Sequence, residues 1–387
     1  MFESRMYLMP TVIHFGCNSS AMAGPEALRM GAGRALLVTD ASLLKAGTAE
    51  PVLESLSSSG IGVSIYDQVI TEPTLFNVDN GLVQLRREEC DLIVAVGGGS
   101  CIDTAKAISI MSANPGQFGD YRGFDRFPSP GMPVMAVPTT AGTGSETTCL
   151  SVITDTERNI KMSIGSPHLM PRVALVDPLL TLGMPQRLTA GTGVDALTHA
   201  IEAYVSVKAQ PMSDVMALSA IELIAGYLPR AWSNPDDLEA RTYVLLGAFQ
   251  AGSAFSNASV GLVHGMARPL GAYFHVPHGL SNAALLATIM QFCLEGNPER
   301  YARIARAMGV DTADLSPIDA ARLGAVRVKE LVASLGIPSL SGLGVEKESL
   351  LANARAMADD AIMSGAAANS PRVAVIDEIV SLYMEAF

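Results

Sequence analysis

The run Asp91-Leu92-Ile93-Val94-Ala95-Val96-Gly97-Gly98-Gly99-Ser100 leads straight into Cys101-Ile102-Asp103-Thr104-Ala105-Lys106-Ala107-Ile108-Ser109-Ile110. Its first six residues are nearly all apolar, which is how a strand buried on both faces reads, and the second run is a plausible helix. Strand, glycine turn and helix start form a ready anion site. Glycine lets the backbone approach a phosphate, and the free N–H groups of the first helical turn point at it. The spacing is not the Gly-x-Gly-x-x-Gly of the common dinucleotide fold, and a glycine run after a strand is about as often a plain tight turn.

Working outward, the first half alternates β-branched runs with helix-like segments, the signature of a parallel α/β sheet. Strands are expected over residues 34–40, 62–66, 132–137 and 173–176, with a small hairpin from 151–154 and 161–164 across the polar stretch 155–159. The strand at 132–137 is followed by Pro138-Thr139-Thr140-Ala141-Gly142-Thr143-Gly144-Ser145-Glu146. Hydroxyls, a carboxylate and glycines are poor core material but suit a polar ligand lying across strand ends. Asp40 ends the first good strand, where a carboxylate can accept both hydroxyls of an adenosine ribose and repel a 2'-phosphate. From about Pro185 the strand-like runs stop and helical periodicity takes over, at 190–205, 213–228, 238–256, 278–294, 298–308, 317–335 and 371–385. Residues 1–184 are therefore expected to form an α/β dinucleotide-binding domain and 185–387 an all-helical domain.

Length and charge narrow the function. With 387 residues the chain has room for two cores. Although 49% of the residues are hydrophobic, no uninterrupted apolar run approaches the ~18 residues that span a bilayer. The start of the chain lacks a basic segment followed by an apolar one, so the cytoplasm is the expected location. A net charge of −12 without a basic cluster argues against nucleic acid and against an anionic membrane surface. Five cysteines without Cys-x-x-Cys spacing suggest buried thiols rather than a zinc knuckle or disulfides.

In the second half, Gly191-Thr192-Gly193-Val194-Asp195-Ala196-Leu197-Thr198-His199 sets a carboxylate and an imidazole four residues apart. On a helix they share one face and can close on one point, as a divalent metal requires. Further ligands are available from residues 261–279, which hold His264, His275 and His278; four of the six histidines fall in these two stretches. A helix cap or ion pair would account for Asp195 and His199 alone, but the clustering favours metal. His14 and His168 stand apart, in contexts that suggest surface or structural roles.

Together, Gly97-Gly98-Gly99-Ser100-x-x-Asp103, Pro138-Thr139-Thr140-x-Gly142-Thr143-Gly144-Ser145-Glu146, Asp195-x-x-x-His199-x-x-Glu202, Gly261-x-x-His264-Gly265-Met266-Ala267 and Pro277-His278-Gly279 resemble the iron-containing (group III) alcohol dehydrogenases over nearly the whole chain. The resemblance implies an N-terminal dinucleotide-binding domain, an all-α C-terminal domain, an active site in the cleft between them and a homodimer. It also implies a metal held by Asp195, His199, His264 and His278. NAD would be lined by Asp40, Gly97, Gly98, Gly99, Ser100, Asp103, Thr139, Thr140, Thr143, Val152, Lys161 and Leu180. The sequence departs from the family at Arg268, where many members carry a histidine taken as a proton relay. It departs again at Glu72, where asparagine is common, and at Leu150 and Ser151, where some short-diol enzymes carry larger pocket residues.

The chemistry these parts fit is hydride transfer between NAD(H) and a small alcohol or aldehyde, with Fe²⁺ or Zn²⁺ as Lewis acid. Arg268 adds the expectation of an anionic group on the substrate. The rivals are a lyase or synthase of the dehydroquinate-synthase type, which would need a more basic pocket, a metallohydrolase without dinucleotide, and a non-catalytic metal-binding protein.

Overall fold

The computed structural model describes residues 4–10, 12–158 and 160–387; Met1 to Glu3, Thr11 and Asn159, the last in the expected hairpin turn, lie outside them. The chain forms two compact units, one of Leu8–Gly183 and one of Met184–Phe387 joined by the described residues up to Tyr7.

The first unit contains β1 (Val12–Phe15), α1 (Ala23–Arg29), β2 (Arg34–Val38), α2 (Ala41–Lys45), α3 (Glu50–Ser58), β3 (Gly62–Tyr66), α4 (Leu75–Arg87), β4 (Leu92–Gly97), α5 (Gly99–Ala113), β5 (Val134–Pro138), β6 (Leu150–Asp155), β7 (Ile160–Gly165) and β8 (Val173–Val176). Six strands make one all-parallel sheet in the order β1-β8-β5-β4-β2-β3, and β6 and β7 form an antiparallel hairpin. Strand side chains alternate between two cores. Leu36, Val38, Ile93 and Ala95 pack with Ile102, Ala105 and Ile108 of α5 on one face, and Ala35, Leu37, Leu92 and Val94 pack with Ala27, Val52 and Leu56 on the other. With about 1.5–3 kcal/mol for each large aliphatic side chain buried, a strand such as β4, buried at every residue, is anchored from both sides. The chain leaves β2 toward β3 and leaves β4 toward β5, in opposite directions. Their carboxyl ends therefore flank a topological switch point, the place where open parallel sheets take ligands.

The second unit is helical: α6 (Gln186–Val205), α7 (Pro211–Ser233), α8 (Leu238–Ala258), α9 (Leu262–Phe274), α10 (His278–Cys293), α11 (Pro298–Ala307), α12 (Pro317–Ser334), α13 (Lys347–Met363) and α14 (Ile376–Glu385). From Thr189 onward α6 is buried almost all round, as suits a central helix, and it packs against α7, α8 and α10. Gly279 lets α10 approach: a Cβ there would lie 2.4 Å from the carbonyl oxygen of Gly191 on α6. By length and composition α7 could cross a membrane, yet Ala217, Ala220, Ile221, Ile224 and Leu228 line a buried face and the helix packs on α6 and α8, as a core helix does.

Candidate metal centre and dinucleotide site

In the first unit the expected phosphate turn lies at the end of β4. Gly98 is the N-cap of α5 and, being glycine, places no side chain over the first helical turn, which suits an anion there. Any side chain at Gly99 would close this cradle, since a Cβ there would stand 2.8 Å from Thr143. Thr140 lies against Gly98 in the same way. Thr139 donates its backbone N–H to Gly97 at 3.1 Å, while its hydroxyl is buried without a partner among the described residues. An unpaired buried hydroxyl beside an open helix N-terminus fits a polar cofactor.

Asp40 is an N-cap: one carboxylate oxygen accepts from the Ser42 and Leu43 N–H groups at 2.9 and 3.0 Å and from the Ser42 hydroxyl. Only its second oxygen remains for a ribose. Both oxygens of Asp103 are engaged, one by the Ser145 hydroxyl at 2.5 Å and the other by the Val152 N–H at 2.9 Å, so Asp103 positions the loop. Lys161 pairs with Glu72 at 3.2 Å, and Leu180 packs against the sheet core in the turn after β8. Sequence reasoning missed Lys106. Its buried ammonium lies within 3.0 Å of five oxygens of Ser145, Thr148 and Leu150, fastening the Thr139–Leu150 loop to α5. Burial draws this ammonium down to about 8, against the charges of Asp103, Cys149 and Glu146.

Glu146, buried in the same loop, has its carboxyl pushed up to about 7 by burial, opposed by its own backbone N–H and by Lys106. Between the ordinary value and 7 the folded chain keeps a proton that the unfolded chain has released, so this group's contribution to stability falls as pH rises across that window. Glu146→Gln should flatten the dependence, its melting temperature rising relative to the parent between pH 5 and 7. Parallel melting curves for the two proteins would contradict this.

In the second unit one face of α6 carries Asp195, His199 and, one turn further, Glu202, all buried. His264 lies in the first turn of α9 and His278 begins α10. Asp195, His199 and His264 each offer an atom within 4.8 Å of the others. The Asp195 Oδ1 stands 3.6 Å from His264 Nε2 and 3.8 Å from His278 Nε2, near the ~3.4 Å separating donors in a tetrahedral site with ~2.1 Å bonds. Carboxylate and imidazole suit iron or zinc, and the donor set fits such an ion.

Glu202 was absent from the expected ligand set, and it sets the tautomer. Its Oε2 lies 2.6 Å from His264 Nδ1 and its Oε1 2.6 Å from the Val263 N–H. The carboxylate thereby caps α9 and holds the His264 proton on Nδ1, leaving the Nε2 lone pair for a metal. Phe255 stacks on His199 at 4.1 Å, and His264 stacks on His199 at 4.4 Å. Burial would raise the Asp195 carboxyl, but His199, His264 and His278 outweigh it and hold it well below the usual range. The His264 imidazole, which burial alone would lower, is lifted to about 9 by Glu202 and Asp195. The pocket attracts positive charge.

Other expected positions take no part in this cluster. His275 is exposed in the left-handed conformation that ends α9, His168 is exposed in a turn, and His14 pairs with Glu26 at 2.6 Å. Arg268 lies one turn beyond His264, since α9 continues through Pro269. Its guanidinium is half-buried, and burial lowers it from its usual value against the charge of Glu202. Both Glu202 oxygens are engaged elsewhere, and Arg268 forms no hydrogen bond or ion pair within the described residues. Leu150 is half-buried at the start of β6, its carbonyl bound by Lys106.

Two family models match the chain: iron-containing alcohol dehydrogenase over residues 10–178 and the C-terminal part of the Fe-containing alcohol dehydrogenase family over residues 189–387. A 1,3-propanediol dehydrogenase of Klebsiella pneumoniae is 42% identical over 98% of this chain and 98% of its own. A crystal structure of 1,3-propanediol oxidoreductase superposes with a TM-score of 0.97 at 41% identity, covering 100% of both chains. A sulfoacetaldehyde reductase from Bifidobacterium kashiwanohense in complex with NAD+ superposes with a TM-score of 0.88 at 28% identity, covering 100% of this chain and 99% of that one.

Proposed function

We infer, since the chain belongs to the iron-containing alcohol dehydrogenase family, that Asp195, His199, His264 and His278 hold its metal and that the Gly97–Ser100 turn with the Thr139–Thr143 loop cradles the cofactor diphosphate. The chain is a metal-dependent oxidoreductase that passes a hydride between NAD(H) and a small alcohol or aldehyde. The observation that carries the assignment is the buried convergence of Asp195, His199 and His264 within 4.8 Å of one another, with His278 Nε2 3.8 Å from Asp195 Oδ1 at its edge. A bound iron or zinc ion supplies Lewis acidity toward the alcohol or carbonyl oxygen, and the nicotinamide supplies the hydride acceptor or donor. Asp195 brings the buried negative charge that balances a cation, and Glu202 keeps the His264 lone pair outward. Arg268, always charged, cannot relay a proton at neutral pH. Its free donors suit a carboxylate or sulfonate on the substrate, in keeping with the relative named for sulfoacetaldehyde.

The test is to strip the protein with a chelator, reload it anaerobically with Fe²⁺ or Zn²⁺, and follow NADH absorbance against a panel of alcohols and aldehydes. No turnover with either ion, together with no NADH binding by fluorescence, would favour the metallohydrolase reading.

The free Asp40 oxygen supports a preference for NAD(H) over NADP(H), because a carboxylate beside a 2'-phosphate costs like-charge repulsion. Asp40→Gly should raise kcat/KM for NADPH by about tenfold or more, while glycine, tolerated at an N-cap, costs only a few tenths of a kcal/mol in stability. Equal efficiency with both cofactors in the parent enzyme would refute the assignment.

A further inference from the structure

Asn282 is fully buried on α10, one turn beyond His278. Its Nδ2 lies 2.6 Å from Asp195 Oδ1, 3.1 Å from His264 Nε2 and 3.3 Å from His278 Nε2. These are atoms of three of the four residues assigned to the metal. Its Oδ1 is buried without a hydrogen-bond partner among the described residues. An unpaired buried carbonyl is unfavourable, but turning the amide over would set Oδ1 against the Asp195 carboxylate, acceptor against acceptor. The amide's orientation is thus dictated by the three ligand atoms rather than by its own surroundings.

The geometry points to Asn282 as the residue that gathers the Asp195 carboxylate and the His264 and His278 imidazoles on a common point before a cation enters. This rests on the metal assignment above. A cation meeting acceptors already gathered does not have to order three side chains, a step that otherwise opposes binding. The amide is centred on the three ligand atoms, closest to Asp195 Oδ1, and so keeps the cluster together until the ion enters. Asn282 is a positioning residue. Neither the hydride nor the substrate need touch it.

Asn282→Leu keeps the approximate shape of the amide and removes both donors. The metal-free parent and variant are titrated with Co²⁺ and with Zn²⁺ in competition with a chromophoric chelator, with circular dichroism as the check on folding and the visible Co²⁺ spectrum as the check on geometry. The variant is expected to bind each ion about 10–100-fold more weakly, the usual loss when a partner of metal ligands is removed, with an unchanged fold and an altered Co²⁺ spectrum. Asn282→Ala serves if the leucine variant does not fold. Unchanged affinity in a folded variant would reduce Asn282 to packing, and increased affinity would show that it competes with the ion; either overturns the inference. Should the parent itself take up neither ion, the metal assignment fails first.

Discussion

His264→Ala should leave a folded protein that retains little metal and almost no turnover. The imidazole is one of the three groups within mutual ligand reach, and its removal leaves Asp195 and His199 on one helix, with His278 more exposed. A Lewis acid at a reacting oxygen contributes several kcal/mol of transition-state stabilisation, and losing it costs roughly 10³-fold in rate. The same substitution leaves Glu202 buried without the Nδ1–H partner, a cost of about 1–3 kcal/mol in stability. His264→Gln, which retains a hydrogen-bonding side chain, separates that structural loss from the loss of metal. Metal content by elemental analysis and folding by circular dichroism should be measured on the same samples. A folded, metal-replete His264→Ala enzyme with near-parent activity would remove the basis for the ligand set. His275→Ala, altering an exposed residue that ends α9, should keep its metal and its rate.

The parallel sheet was legible because its inner strands are buried on both faces and read as unbroken apolar runs, as β4 does. β1 was not, because it is four residues long, lies at the sheet edge and is only partly buried, so neither alternation nor a continuous run marks it. α9 was not among the helices expected from periodicity, for another reason. Gly265, Pro269 and Gly271 all depress helix propensity, and the helix persists because Glu202 and Ser370 cap its first N–H groups from outside the segment and because it packs on α10 and α13. Such tertiary support leaves no local trace.

The spacing expected of metal ligands was readable at Asp195 and His199, four apart, and the structure brings both together with His264. Glu202 continues the same face, and Asn282 repeats the spacing after His278, so both carried a periodic signal that liganding chemistry alone did not pick out. Lys106 had only a weak one, a single cation in the apolar stretch Ala105 to Met111, and its five oxygen partners come from a loop some forty residues away. Asp40 shows the converse. Its place after a strand suggested a ribose contact, and the structure commits one of its oxygens to the next helix.

Arg268 is where this chain departs from the histidine common in its family, and its substitution should separate charged from neutral substrates. The continuous α9 keeps residue 268 on the face that carries His264. Its guanidinium has no protein partner to satisfy it among the described residues, because Glu202, the one carboxylate acting on it, has committed both oxygens. A planar donor of this kind binds a carboxylate through two parallel hydrogen bonds, which lysine does not reproduce. Succinic semialdehyde and butanal, equal in chain length, should be compared in the parent and in Arg268→Ala. Loss of a charge-assisted contact removes about 1.5–3 kcal/mol, so kcat/KM for the acid should fall roughly 10–150-fold while that for butanal stays within a fewfold. Arg268→Lys should recover only part of the loss, since it restores charge without the fork. High salt should weaken the preference only slightly, because a half-buried pair is screened less than an exposed one. An equal fall for both aldehydes would mean that Arg268 supports the pocket wall rather than the substrate, and the anionic group would then have to be dropped from the description of what this enzyme reduces.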